Sequence, residues 1–333
     1  MSQRLLLGTS VSLAWNELAS VVTDATANAA AACHEWRGKS DKIAADAAAV
    51  QAMRRVLASS GLSFRVAIGE GELDDAPGLV PGELIGSDTS GVWDFAVDPL
   101  EGTTLCAQGV PGAVTVIAAG AVGTILSAPD SYMRKVMAGP ACPREAVHVD
   151  NPVGNLLREC AKGSQKAVRD LVVCVLDKPR HGRLVEQIRS AGASLKFISD
   201  GDVPAAIWVC QPERFGVDLY LGVGGSPEGV LSAAAIKSLG GSMSARFEPQ
   251  DEAQERRLSE WSSKLNREAL ALEDMVAGEI VFAMSSVSGT PTLAASHRSG
   301  RLIRIETMTL STLGPATSQP IFSSQEIDPG KEC

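Results

Sequence analysis

Asp94-Phe-Ala-Val-Asp-Pro-Leu-Glu-Gly-Thr-Thr104 is an apolar run that stops abruptly in a turn loaded with carboxylates and hydroxyls. Residues 93–97 have strand composition, and a period of two puts Asp94, Ala96 and Asp98 on one face, with Asp98 at the mouth. Pro99 has no N–H for a ladder and is expected to end the strand. Glu101 follows Asp98 by three positions across a turn bounded by proline and glycine. The two carboxylates can therefore converge on one small volume, where they repel unless a cation lies between them. Oxygen ligands of this kind suit a hard divalent cation, Mg²⁺ or Mn²⁺. Thr103 and Thr104 add hydroxyls able to orient a water. From this stretch alone, an Asp-Pro turn with incidental surface acids reads the same way.

Upstream, Leu18, Val22, Ala25, Ala29, Cys33 and Trp36 recur at three and four, which predicts one long helix ending before Gly38. His34 within it is read as structural, since no ligand type sits at i±4. A second helix is predicted from Ser40 or Asp41 to Ser59, with Ile43, Ala47, Val50 and Leu57 inward. Lys42 and Asp46 are four apart on its first turns and, by themselves, make a surface ion pair. Residues 64–68 are a predicted strand entering Gly69-Glu-Gly-Glu72. An extended backbone there projects Glu70 and Glu72 to one side, and the glycines allow close approach to a ligand. A Gly/Glu surface turn has the same composition. Downstream, residues 113–119 and 124–126 are predicted to form a hairpin, and 128–134 a short helix opening near Pro129.

From about residue 150 the pattern becomes a regular alternation. Helices at 154–161, 183–190 and 203–210 lead to strands at 171–176, 194–198 and 217–222, and a helix at 228–239 closes the series. Such alternation implies right-handed crossovers and a parallel sheet. The strands run into Asp177-Lys-Pro-Arg-His181, Asp200-Gly-Asp202 and Gly224-Gly-Ser-Pro-Glu228. Ligands bind beyond the carboxyl ends of parallel strands, so these turns are expected to line one crevice. Lys178 and Arg180 bring two cations to it, the arginine able to grip phosphate bidentately. Pro227 opens a helix whose free N–H groups favour an anion, while Glu228 there also reads as a helix cap. His181 reads as a helix-start residue. Residues 246–278 are charged and helical in pattern, 279–284 and 302–306 are predicted strands, and 314–333, rich in Pro, Ser, Thr and Gly, is an expected disordered tail. The expected division is residues 1–150, a domain with a mixed sheet that carries the carboxylate turn, and 151–333, an α/β domain with a parallel sheet.

A chain of 333 residues can bury a large core. Its net charge of −9 and its lack of a basic run argue against a nucleic-acid surface. No segment is long enough to span a membrane and the N-terminal apolar run is too short for a secretory signal, so a cytoplasmic location is expected. The seven cysteines are scattered without C-x-x-C spacing and read as buried apolar residues rather than as a disulfide framework or a zinc site.

Val97-Asp-Pro-Leu-Glu-Gly-Thr103 resembles the signature of the lithium-sensitive, metal-dependent sugar and inositol phosphatases. Gly38-Lys-Ser-Asp-Lys-Ile-Ala-Ala-Asp46, Ile68-Gly-Glu-Gly-Glu-Leu-Asp-Asp-Ala-Pro77 and Gly224-Gly-Ser-Pro-Glu-Gly229, in that order, narrow the resemblance to class II fructose-1,6-bisphosphatases, from about residue 15 to 245. The resemblance implies a two-domain layered α/β sugar-phosphatase fold with the active site in the cleft between domains, and a homo-oligomer, dimer or tetramer. It makes Asp46, Glu70, Asp98, Glu101 and Glu228 metal ligands and Lys42 a cation of the metal or substrate site. It has Asp74 help Thr103 activate the attacking water, and it makes Tyr132 and Gly225 substrate contacts, joining Lys178, Arg180, Asp200 and Asp202 of the crevice turns. The expected reaction is hydrolysis of the 1-phosphate of fructose 1,6-bisphosphate by direct transfer to water.

Three rivals are weighed. A sedoheptulose-1,7-bisphosphatase, or an enzyme for both sugars, would carry the same motifs. An inositol-phosphate or nucleotide phosphatase is disfavoured by the Lys-Pro-Arg and Gly-Gly-Ser-Pro-Glu turns. A non-catalytic sugar-phosphate sensor is disfavoured because every carboxylate the metal chemistry requires is present.

Overall fold

The computed structural model describes residues 2–69, 78–86, 92–261, 268–313 and 319–330. In chain order the elements begin α1 (Ser2–His34), α2 (Lys42–Ser59), β1 (Ser63–Ile68), β2 (Leu84–Ile85), β3 (Val92–Glu101), α3 (Thr103–Gln108) and β4 (Val114–Ala121). They continue with β5 (Tyr132–Ala138), α4 (Val153–Gly163), β6 (Val172–Leu176), α5 (Gly182–Ala191), β7 (Ser194–Ile198), α6 (Val203–Cys210), α7 (Pro212–Phe215), β8 (Leu219–Gly225) and α8 (Ser226–Ser238). The last are β9 (Ser242–Phe247), α9 (Glu252–Trp261), β10 (Leu270–Ala271), α10 (Leu272–Met275), β11 (Ile280–Ser286), β12 (His297–Ser299), β13 (Leu302–Ser311) and β14 (Ile321–Ile327).

They form two compact units. One is Met1–Val122 with Glu279–Leu313 and Pro320–Cys333, and the other is Gly123–Gly278 with Gly314–Gln319. This differs from a division at residue 150 because β5, which precedes that point, pairs with β8 and β9, whereas β11 pairs back with β4.

In the first unit the strand order is β12-β13-β11-β4-β3-β1-β2, with β14 also on β13. Among the described residues of this unit only β1 and β3 pair in parallel. α1 lies on β4, β11 and β13, and its Ala25, Ala29, Ala30 and Ala31 are fully buried; side chains this small let a helix approach a sheet closely. Ile43, read as inward, is 61% exposed, so α2 turns that residue to solvent. β3 does not stop at Pro99. It runs on to Glu101, with the register to β4 shifting between Asp98 and Glu101, and the proline's missing N–H falls within that irregularity. Residues 124–126 are not a strand but carry a single bridge, Ile125 to Val276. The expected loose tail contains β14, paired with β13 from Ile303 to Thr309; backbone groups make that ladder whatever the polarity of the side chains.

In the second unit the order is β10-β9-β5-β8-β6-β7. β6, β7 and β8 are parallel, as the alternation predicts, but β5, β9 and β10 are antiparallel, so the sheet is mixed. β5 stands where a short helix opening near Pro129 is predicted, because strand neighbours on both sides override the local cue. β9, α9, β10 and α10 replace the single helical region expected over 246–278. One face of the sheet, with Val136, Val173, Val175, Leu219 and Leu221, joins Leu156 and Leu157 of α4 and Ile188 of α5 in a core. Cys142 and Cys160 form a disulfide, contrary to the reading of all seven cysteines as thiols; α4 folds back on the loop after β5, a pairing that spacing does not reveal. Cys33, Cys106, Cys174 and Cys210 are buried thiols.

The parallel ladder of β6 with β8 joins Val173 to Leu219 and Cys174 to Tyr220. Beyond it the buried His181 bridges the strands: Nδ1 donates to the Leu176 carbonyl at 2.8 Å, and Nε2 accepts from the Val223 N–H at 2.8 Å. This tautomer is neutral, and burial lowers the imidazole pKa. A proton on Nε2 would expel the Val223 N–H, so the clamp's stability is complete above the ordinary imidazole value of about 6.5 and declines as pH falls from there towards the lower folded-state value. His181→Ala is expected to destabilise the protein by about 1–3 kcal/mol for each backbone group left unpaired. Denaturant titrations at pH 7.5 and pH 5.5 check this: the acid-induced loss of stability should be smaller in the variant, and an equal loss would contradict the clamp.

Candidate active site

In the first unit, the turn out of β3 needs a left-handed residue, and Gly102 supplies it at φ 80°. Thr103, half-buried, opens α3 at once. The connection between α1 and α2 docks on α3 through its backbone: Gly38 N–H donates to Cys106 O and Ser40 N–H to Ala107 O, both at 2.9 Å. Asp41 then caps α2, its Oδ1 accepting from Ala44 N–H at 2.9 Å. Lys42, exposed, and Asp46 thus lie on an α2 start that is fixed beside α3.

The Cys33 thiol is buried against α2, its Sγ 3.6 Å from the Ala45 carbonyl. Burial pushes its pKa well up, and the neighbouring Cys106, Asp46 and Asp98 push in the same direction. Asp98 Oδ1 also accepts from Leu100 N–H at 3.0 Å, and Glu101 is 3% exposed at the end of β3. Asp94, on the same strand face, is a structural residue: Arg65 grips it with Nε at 2.7 Å and a second guanidinium nitrogen at 2.8 Å. Glu70 and Asp74 lie outside the described residues. Among the described residues no group of three or more His, Cys, Asp or Glu side chains is arranged as a metal site.

In the second unit the residues expected to touch substrate fall into three couples. The Arg180 guanidinium lies over the Tyr132 ring at 4.9 Å while its Nε donates to Val223 O at 2.9 Å. Lys178 pairs with Asp200 at 3.6 Å. Asp202 and Gly225 are tied to one buried lysine, Lys135, whose Nζ is 2.6 Å from Asp202 Oδ2 and 3.0 Å from the Gly225 carbonyl. The Tyr220 hydroxyl donates to the same Asp202 oxygen at 2.7 Å. Arg180 also lines a cavity of about 450 Å³ with Arg134, Arg183, Asn151 and Gln187. Lys135 and Tyr220 are absent from the sequence reading; the only available signal is a lysine at an apolar position of Tyr132-Met-Arg-Lys-Val-Met-Ala138.

Glu228 lies in the first turn of α8, and its Oε2 is buried without a hydrogen-bond partner among the described residues. Burial raises its carboxyl pKa, Lys135 pulls it down and Asp202 pushes it up. An orphaned buried carboxylate oxygen is a donor that fits a hard divalent cation. His34 donates or accepts at Ser296 Oγ, 2.8 Å away, in the structural role expected of it. No helix among the described residues is long and apolar enough to cross a membrane.

A family model described as bacterial fructose-1,6-bisphosphatase, glpX-encoded, matches residues 16–316. The match runs well beyond residue 245, where the motif resemblance fades. The chain is 40% identical over 303 residues to the class 2 fructose-1,6-bisphosphatase of Haemophilus influenzae, covering 87% of this chain and 89% of that one. It is 36% identical over 305 residues to fructose-1,6-bisphosphatase 1 class 2 of Escherichia coli K12, covering 88% and 90%. Ordered motifs, fold and similarity over most of the length agree: the chain belongs to the class II fructose-1,6-bisphosphatase family.

Proposed function

We propose that the protein hydrolyses the 1-phosphate of fructose 1,6-bisphosphate to fructose 6-phosphate and phosphate, using Mg²⁺ or Mn²⁺ held by Asp46, Glu70, Asp98, Glu101 and Glu228. The observation that carries this reading is the buried Glu101 carboxylate at the end of β3, with Asp98 three residues before it and Thr103 opening α3 two residues after it. The family is one of metal-dependent phosphatases. A divalent cation supplies neutralisation of the phosphoryl oxygens and acidity for a water. The Thr103 hydroxyl, assisted by Asp74, orients the water that attacks phosphorus in line. Lys42 adds positive charge beside the phosphoryl group. Tyr132, Lys178, Arg180, Asp200, Asp202 and Gly225 hold the sugar and the phosphate that does not react. No side chain forms a bond to phosphorus.

Phosphate release across a panel of sugar bisphosphates and monophosphates, with Mg²⁺ or Mn²⁺, tests the reading. Fructose 1,6-bisphosphate is expected to be hydrolysed, and a panel without release would overturn the assignment. In the same assay Asp98→Asn is expected to lower kcat by at least about a hundredfold, as loss of metal-assisted charge stabilisation requires, with the melting temperature preserved. Near-normal turnover with unaltered metal dependence would reject Asp98 as a ligand.

The stacked, partly tethered Arg180 leads to a different kinetic expectation. Its loss removes a charged hydrogen bond to the remote phosphate, worth about 1.5–3 kcal/mol, so Arg180→Ala should raise KM by roughly 10- to 150-fold with a smaller fall in kcat. The variant should also lose most of the preference for the bisphosphate over a 1-monophosphate sugar. If that preference survives, Arg180 does not serve the second phosphate.

A further inference from the structure

Strand alternation puts Lys135 on the face that Met133 and Met137 share, and all three are buried, the lysine completely. An aliphatic side chain would fit such a position without desolvating an ammonium, and a buried ion pair rarely gains stability over an apolar replacement. Stability by itself is therefore a weak reason for a lysine here. The surrounding backbone is nevertheless shaped to admit it. A Cβ on Gly224 would stand 3.2 Å from Lys135 Nζ and 2.9 Å from Asp202 Oδ2, and one on Gly229 would stand 3.4 Å from Lys135 Cδ. The glycines of the Gly224-Gly-Ser-Pro-Glu-Gly229 stretch leave the room that the lysine occupies.

Within that space the hydrogen bonds are unequal. Asp202 Oδ2 is held twice, by Lys135 Nζ at 2.6 Å and the Tyr220 hydroxyl at 2.7 Å, both from side chains with no exposed surface. Asp202 Oδ1 is buried and accepts no hydrogen bond among the described residues. Lys135 Nζ also holds the Gly225 carbonyl at 3.0 Å. The doubly held oxygen fixes the plane of the carboxylate, which leaves Oδ1 as an acceptor of set direction, suited to a sugar hydroxyl. The ammonium also balances a carboxylate charge that would repel a phosphate near Gly225.

We propose that Lys135 is a positioning residue for sugar-phosphate binding. With Tyr220 it orients the Asp202 carboxylate towards a substrate hydroxyl, and through the same ammonium it fixes the Gly225 carbonyl and cancels the local negative charge. The inference rests on the substrate roles proposed for Asp202 and Gly225; because the same ammonium also acts on the Glu228 carboxylate, binding is read without turnover.

Calorimetric titration of the full-length protein with fructose 6-phosphate tests it without requiring turnover. Lys135→Met, which keeps the chain volume and removes the charge, is expected to weaken binding about tenfold or more, and Tyr220→Phe about threefold. In steady-state assays on fructose 1,6-bisphosphate, Lys135→Met should raise KM by a similar factor with a smaller change in kcat, as lost positioning of the non-reacting end requires. A lysine that only supports the fold would lower the melting temperature and leave the dissociation constant of the folded protein unchanged, and that result overturns the proposal. Should Lys135→Met fail to fold, Tyr220→Phe decides: it retains the ion pair and the packing, and unaltered affinity in it is equally fatal. Wild-type protein that binds fructose 6-phosphate but releases no phosphate from the bisphosphate would overturn the hydrolase reading and leave this one intact. A wild type that binds no fructose 6-phosphate overturns the roles of Asp202, Gly225 and Lys135 together.

Discussion

The backbone docking of the α1–α2 connection on α3 is the constraint on which the proposed metal site of the first unit depends. Of the proposed ligands, Asp46 on α2 and Asp98 on β3 are half-buried, and Glu101 is buried three residues further along β3. Gathering like charges in a poorly solvated place is unfavourable unless something of opposite sign joins them. The local structure fixes the elements that carry them. The register shift at Pro99, the left-handed Gly102 and the backbone bonds from Gly38 and Ser40 to the end of α3 tie the turn out of β3 to the start of α2. Carboxylates on elements fixed in this way suit a cation of fixed charge and small radius.

The second unit solves another problem, the support of polar groups at the ends of parallel strands. β6 and β8 need a bridge beyond their ladder, and the neutral His181 ring supplies a donor for one strand and an acceptor for the other. The segment that carries His181 also carries Lys178 and Arg180, so the clamp holds two cations in place. Lys135 does similar work in β5, where one ammonium serves both a carboxylate and a carbonyl.

What the sequence makes legible follows the reach of each signal. The two long helices, the strand into the Asp98 turn and the alternation from α4 to α8 show in local periodicity, since each element buries one continuous face. β5 does not, because Pro129 looks like a helix start and only its neighbours β8 and β9 make it a strand. β14 is hidden for a related reason: its ladder is made of backbone groups while Ser323, Ser324 and Gln325 read as a polar tail. The return of β11 to β4, which moves the division of the chain from residue 150 to 122, is a long-range pairing that no window contains. At the proposed site, the carboxylates stand out in the sequence because metal chemistry demands that residue type in a recurring order. Lys135 is not, since a lysine between methionines gives no sign of whether it faces water. Nor does spacing disclose that Cys142 meets Cys160.

The central claim, that the acids of the first unit are held together for a divalent cation, is tested most directly by thermal unfolding as a function of Mn²⁺ concentration in chelator-stripped protein, wild type beside Asp98→Asn and Glu101→Gln. A ligand that binds only the folded state raises the melting temperature by mass action, and here it also relieves a repulsion. The account predicts a saturable rise in wild type that is largely lost in both variants, while the metal-free variants melt at or above the metal-free wild type because one repelling charge is gone. A wild-type melting temperature indifferent to Mn²⁺, or an equal rise in all three proteins, would contradict it.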